Sequence, residues 1–76
     1  MNPRIDINPE ICHGNPVIRN TRVLVSNILA DLAVGISVND ILENYPNISK
    51  EDIHAALDFS AELSQFETLS YESRAI

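Results

Sequence analysis

Apolar and polar positions divide this chain into a short alternating stretch and three helical ones. Arg4-Ile5-Asp6-Ile7 alternates polar and apolar, as a half-buried strand does. Asn8-Pro9 and Gly14-Asn15-Pro16 mark turns. Pro16-Val17-Ile18 and Val23-Leu24-Val25 are rich in β-branched residues and flank Arg19-Asn20-Thr21-Arg22, which reads as a small hairpin or arm. Asn20 suits its turn because asparagine tolerates positive φ. Val25, Ile28, Leu29 and Leu32 then recur at helical spacing, and Gly35 stands where a left-handed C-terminal cap is wanted. Ser37 opens a second helix with Asp40 three residues on, and Ile36 and Ile41 occupy the staple positions around that cap. Val38, Ile41, Leu42 and Tyr45 give its apolar face, and Pro46 ends it. The same grammar returns at Ser49, Asp52, Ile48 and Ile53.

The third helix is expected from Lys50 to about Glu67, with two apolar stripes. Ile53, Ala56, Leu57 and Ala61 form one; Phe59, Leu63 and Phe66 form another, roughly 120° round at about 100° per residue. Residues 1–67 are thus read as a single domain. Residues 68–76 are read as a flexible, partner-binding tail. The fold class expected is mainly α: a three-helix, helix-turn-helix-like bundle behind a small N-terminal β-strand or hairpin element.

Composition narrows the function. With 76 residues the chain makes one small domain, which hides only about 60% of the surface it exposes unfolded. Its single cysteine, Cys12, excludes an internal disulfide, and Cys12, His13 and His54 lack zinc-finger spacing. No metal or other cofactor is expected, and a partner subunit is the remaining source of added stability. No apolar run approaches the ~20 residues of a membrane span, and the opening Met-Asn-Pro-Arg-Ile-Asp has no apolar signal core. A cytoplasmic location is expected. The net charge of −6 is uneven. Arg4, Arg19 and Arg22 outnumber Asp6 and Glu10 near the N-terminus, whereas nine carboxylates from Asp31 onward face only Lys50 and Arg74. An acidic body of this kind favours a basic or metal-bearing protein partner. No phosphate loop, metalloprotease motif or nucleophile with an orienting base is visible, so no enzymatic activity is expected.

Two runs carry a family resemblance. The first is Arg4-Ile5, Asn8-Pro9, Ile11-Cys12, Gly14, Pro16-Val17-Ile18-Arg19, Thr21-Arg22 and Val25. The second is Leu32-Ala33, Gly35-Ile36-Ser37, Ile41-Leu42, Tyr45-Pro46, Ile48, Glu51-Asp52-Ile53 and Ala55-Ala56-Leu57. Over about residues 4–61 the chain resembles the bacterial and archaeal domain of unknown function 433 family. That resemblance implies a helix-turn-helix superfamily domain. It also implies an antitoxin-like role in a type II toxin–antitoxin pair, with a PIN-like, metal-dependent ribonuclease toxin as partner. The family pattern typically has Cys-Gly-Gly-Lys-Pro and Arg-Gly-Thr-Arg, from which this chain departs at His13, Asn15 and Asn20.

The candidate nucleic-acid contacts are Arg4, Arg19, Arg22 and Lys50. Arg19 and Arg22 either enter a DNA groove or pair with the acidic helices. Lys50, Glu51, Asp52, His54 and Asp58 are expected on the exposed start of the third helix, where the carboxylates oppose phosphate binding. The candidate partner or dimer interface is Phe59, Leu63, Phe66, Tyr71 and Arg74, the alternative for the first three being core beneath a folded-back tail. The expected function is neutralisation of the toxin, with autoregulation of the operon as a homodimer on operator DNA. The alternatives are a stand-alone DNA-binding regulator or a dimeric scaffold domain that does not bind DNA.

Overall fold

The computed structural model describes the backbone of residues 2–75 and the side chains of residues 2–65. Two short strands, β1 (Ile5–Asp6) and β2 (Val17–Ile18), precede α1 (Val25–Ala33), α2 (Val38–Asn44) and α3 (Lys50–Ala75). The architecture is mainly α, three helices behind a two-stranded antiparallel ribbon.

The ribbon pairs Ile5 with Ile18 and Asp6 with Val17. The expected pairing across residues 19–22 is present only as an isolated bridge between Val17 and Leu24. That turn is closed by its own residues. The Ile18 N–H donates to the Val23 carbonyl, 3.0 Å, and the Thr21 N–H to the Ile18 carbonyl, 3.0 Å. The Thr21 hydroxyl also donates to the Ile18 carbonyl, 2.6 Å, and accepts from the Val23 N–H, 3.0 Å. Asn20 has φ +65°, the left-handed conformation that its side chain tolerates. The Val25 N–H, an orphan donor at the start of α1, finds the Pro16 carbonyl at 3.0 Å.

The helix ends follow their sequence signals. At the close of α1, Ile36 N–H donates to the Asp31 carbonyl and Gly35 N–H to that of Leu32. With Gly35 at φ +90°, this is a Schellman motif. At the start of α2 the Ser37 hydroxyl accepts from the Asp40 N–H, 3.1 Å. At the start of α3 the capping box is complete. Ser49 Oγ accepts from the Asp52 N–H, 3.3 Å, and the Asp52 carboxylate accepts from the Ser49 N–H, 2.9 Å.

All elements contribute to one core. Ile5 and Ile18 from the ribbon meet Val25 and Ile28 of α1, Ile41 of α2 and Ile53, Ala55 and Ala56 of α3; Val23 and Ile48 join from the connecting segments. The staple residues Ile48 and Ile53 are both buried. β1 lies against α3, and two side-chain contacts hold it there: Asn2 Nδ2 donates to Asp58, 3.2 Å, and Arg4 to Asp52, 3.1 Å.

Two expectations about α3 need correction. Its helical backbone runs to Ala75 rather than stopping near Glu67. Its apolar residues also form one face, not two. At about 100° per residue, Ile53, Ala56, Phe59 and Leu63 share a single arc of roughly 120°. Phe59 packs against the core, while Leu57 lies beyond the edge of the arc, about half exposed, and Ala61 is exposed.

Between the strands the chain makes a left-handed turn. Cys12, His13 and Gly14 have φ of +51°, +58° and +81°. A residue with a Cβ in this conformation costs roughly 1–2 kcal/mol. His13 is exposed and stands where the resembled family typically has glycine. His13→Gly is therefore expected to raise stability by about 0.5–1 kcal/mol, the relief of strain outweighing the added freedom of the unfolded chain. Thermal unfolding followed by circular dichroism would show a melting temperature higher by a few degrees.

Candidate functional site

Three features of the surface carry polar or unpartnered chemistry: the joint between β1 and α3, the turn between β2 and α1, and the distal part of α3.

At the joint, Asp52 is only 8% exposed, contrary to its expected place on an open helix start. One carboxylate oxygen caps α3 through the Ser49 N–H, and the other accepts from Arg4. Arg4 is thereby tied to the acidic body by its guanidinium. Its carbonyl accepts from the Arg19 N–H, 2.8 Å, which sets the two arginines opposite each other just beyond the paired strands. Among the described residues, Arg4–Asp52 is the only ion pair. The pairing anticipated for Arg19 or Arg22 falls on Arg4 instead.

Lys50 and Glu51 are exposed beside this joint, as are His54 and Asp58 further along α3. The Glu51 carboxyl is held below the ordinary glutamate range, first by a hydrogen bond from its own backbone N–H and then by the Ser49 hydroxyl. Its ionised form thus favours the folded helix start, a contribution present above the ordinary range and lost as pH falls through the lowered value. At neutral pH that charge suits the helix N-terminus and repels phosphate.

Arg19 and Arg22 are exposed on the turn between β2 and α1. Arg22, Asn20 and Thr21 line an open cleft with Asp6, Ile11 and Asn47, the last from the segment joining α2 to α3. Cys12 is half-buried, and its thiol donates to the Arg22 carbonyl at 3.9 Å. It thus tethers the left-handed turn to the arginine-bearing one. No group of three or more potential metal ligands is present among the described residues.

On α3, Leu63 is 53% exposed although it lies on the core-facing arc, because the packed core ends at Phe59. The side chains of Phe66, Tyr71 and Arg74 lie outside the described residues. No helix among the described residues is long and apolar enough to cross a membrane.

Sequence reasoning missed two contacts of the joint, Arg4–Asp52 and Asn2–Asp58, because no local pattern links residues 48 and 56 positions apart. The capping spacing did single out Asp52. Gly14 signals the turn, whereas nothing local marks the left-handed conformation of Cys12 and His13.

The fold and site define a small three-helix domain with a β ribbon strapped along its third helix. Residues 5–60 match the family described as Protein of unknown function (DUF433), and the chain belongs to that family. It is similar to the uncharacterized protein y4eO of Sinorhizobium fredii (strain NBRC 101917 / NGR234), with 44% identity over 48 residues, 63% of this chain and 22% of y4eO. It is also similar to the crystal structure of a DUF433 member from Anabaena variabilis ATCC 29413, with a TM-score of 0.74 and 33% identity. That match covers 91% of this chain and 66% of the Anabaena chain. The chain therefore spans about a fifth of one relative and just under two thirds of the other.

Proposed function

We propose that this protein is an antitoxin-type binding module that holds a PIN-like ribonuclease along the distal half of α3 and silences it. One observation carries this reading. Leu63 continues the arc through which Ile53, Ala56 and Phe59 face the core, yet it is 53% exposed. An apolar position on a core-facing arc beyond the end of the core suits a protein partner.

Charge supports the choice of partner. Glu51, Asp58 and Glu62 are exposed along the same helix. A ribonuclease must present cations to its polyanionic substrate, and a row of carboxylates on the same helix competes for that surface. The family resemblance points to the same class of partner.

The test is co-expression with the product of the adjacent gene. The wild-type chain is expected to co-purify with it. Leu63→Asp is expected to lose the partner while keeping its own melting temperature, since Leu63 contributes little to the core. Undiminished co-purification of the variant would refute the placement on α3.

A second role, autoregulation of the operon as a homodimer, is favoured by Arg19 and Arg22, both exposed and outside any ion pair among the described residues. Operator affinity that falls steeply with salt would be its signature. The acidic start of α3 argues against major-groove reading by that helix, so the ribbon would carry the contact.

A further inference from the structure

The cleft beside Arg22 has an unusual inventory for so small a domain. Its volume is about 530 Å³, inside the range of small-molecule sites. Its lining joins four segments: Asp6 at the end of β1, Ile11 between the strands as the apolar element, Asn20, Thr21 and Arg22 on the turn before α1, and Asn47 before α3. Among the described residues, the side chains of Asp6, Asn20, Arg22 and Asn47 engage no other protein group. A cation and a carboxylate thus share one cleft without pairing, accompanied by two free amides.

The backbone that presents them is fixed. The Thr21 hydroxyl makes both of its hydrogen bonds within the turn, at 2.6 and 3.0 Å. Asn20 is held at φ +65°, and the Cys12 thiol reaches the Arg22 carbonyl. A rigid main chain removes part of the ordering cost of binding, and the unengaged side chains order on the ligand.

We propose that this cleft binds a small bipolar ligand, one with an anionic oxygen group for Arg22 and N–H donors for Asp6. Arg22 receives the anion through parallel N–H···O bonds, and the Asp6 carboxylate accepts from the donors. Asn20 and Asn47 each offer a donor and an acceptor to the middle of the ligand. Two sources share this chemistry: a 5′-nucleotide with a guanine edge, whose ring and amino N–H groups suit a carboxylate, and a zwitterionic amino acid or short peptide.

The experiment is a ¹⁵N-resolved NMR titration of the full chain with guanosine 5′-monophosphate, glycylglycine and inorganic phosphate in separate arms. One of the two bipolar probes is expected to shift the signals of Asp6, Asn20, Arg22 and Asn47 in the millimolar range or below. Phosphate alone is expected to bind at least about tenfold more weakly, a difference of about 1.4 kcal/mol. Arg22→Gln and Asp6→Asn should each weaken the bipolar probe about tenfold or more with unchanged melting temperature. Saturation by guanosine monophosphate identifies a nucleotide site, and by glycylglycine a peptide-type site. No shift at these residues with either bipolar probe would overturn the proposal. So would phosphate binding as tightly as the bipolar probe with Asp6→Asn silent.

Discussion

Replacing Ile5 by alanine is expected to cost about 3 kcal/mol and to lower the melting temperature by more than about 10 °C. Ile5 is fully buried, at 0% exposure, and is the apolar contact of β1 with α3. Removing its outer carbons leaves a cavity between ribbon and helix. The remaining attachments, Asn2–Asp58 and Arg4–Asp52, are polar and partly exposed, so they cannot draw the strand inward. A domain of this size commands only a few kcal/mol in total, so the loss is a large share of it. Equilibrium denaturation in urea would measure it. A loss below about 1 kcal/mol would mean that the ribbon is not part of the core.

Asp52→Ala is expected to cost about 2 kcal/mol through a different mechanism. The Asp52 carboxylate caps α3 at Ser49 and holds Arg4 at the same time. Truncation leaves the Ser49 N–H without its acceptor and releases the Arg4 guanidinium. The second loss is small, because the Arg4 side chain is half exposed and such pairs contribute under about 1 kcal/mol. Arg4→Ala therefore isolates the ion pair, and the difference between the two variants reports the cap. Asp52→Asn retains one acceptor for the Ser49 N–H and should recover part of the stability. Equal losses in Asp52→Ala and Arg4→Ala would show that the ion pair, not the cap, is the stabilising contact.

Features encoded within a few residues were legible before the structure. Ser37, Ser49 and Gly35 mark helix ends because each satisfies backbone groups within six positions of itself. Asn20 was legible for a similar reason, since its conformation depends on the turn it occupies. Features set by distant packing were not. The capping spacing put Asp52 at a helix start, but its contact with Arg4 joins residues 48 positions apart. The spacing of Leu57 and Ala61 fits a helix face as well as that of Phe59 and Leu63. Which arc is covered depends on where β1, α1 and α2 dock, and that lies outside α3's own sequence. The strand pairing followed the same rule: Val17 has a neighbour in each direction, and the ladder formed with β1 while Leu24 kept a single bridge.

The candidate site was legible in part. The arginines of the turn are exposed, whereas Leu63 continues the core-facing arc rather than a second stripe. The cleft was not visible, because Asp6, Arg22 and Asn47 are brought together only by the docking of ribbon against helices. Half-buried Cys12 links two of the segments around that cleft through its thiol and the Arg22 carbonyl.

Silencing of a nuclease through the distal half of α3 has a direct consequence for RNA cleavage. The most direct measurement is RNA cleavage by the purified product of the adjacent gene, titrated with this protein. Cleavage is expected to fall to background near one equivalent of wild-type chain and to persist with Leu63→Asp at the same ratio. Full cleavage in the presence of excess wild-type chain, or equal inhibition by the variant, would contradict it.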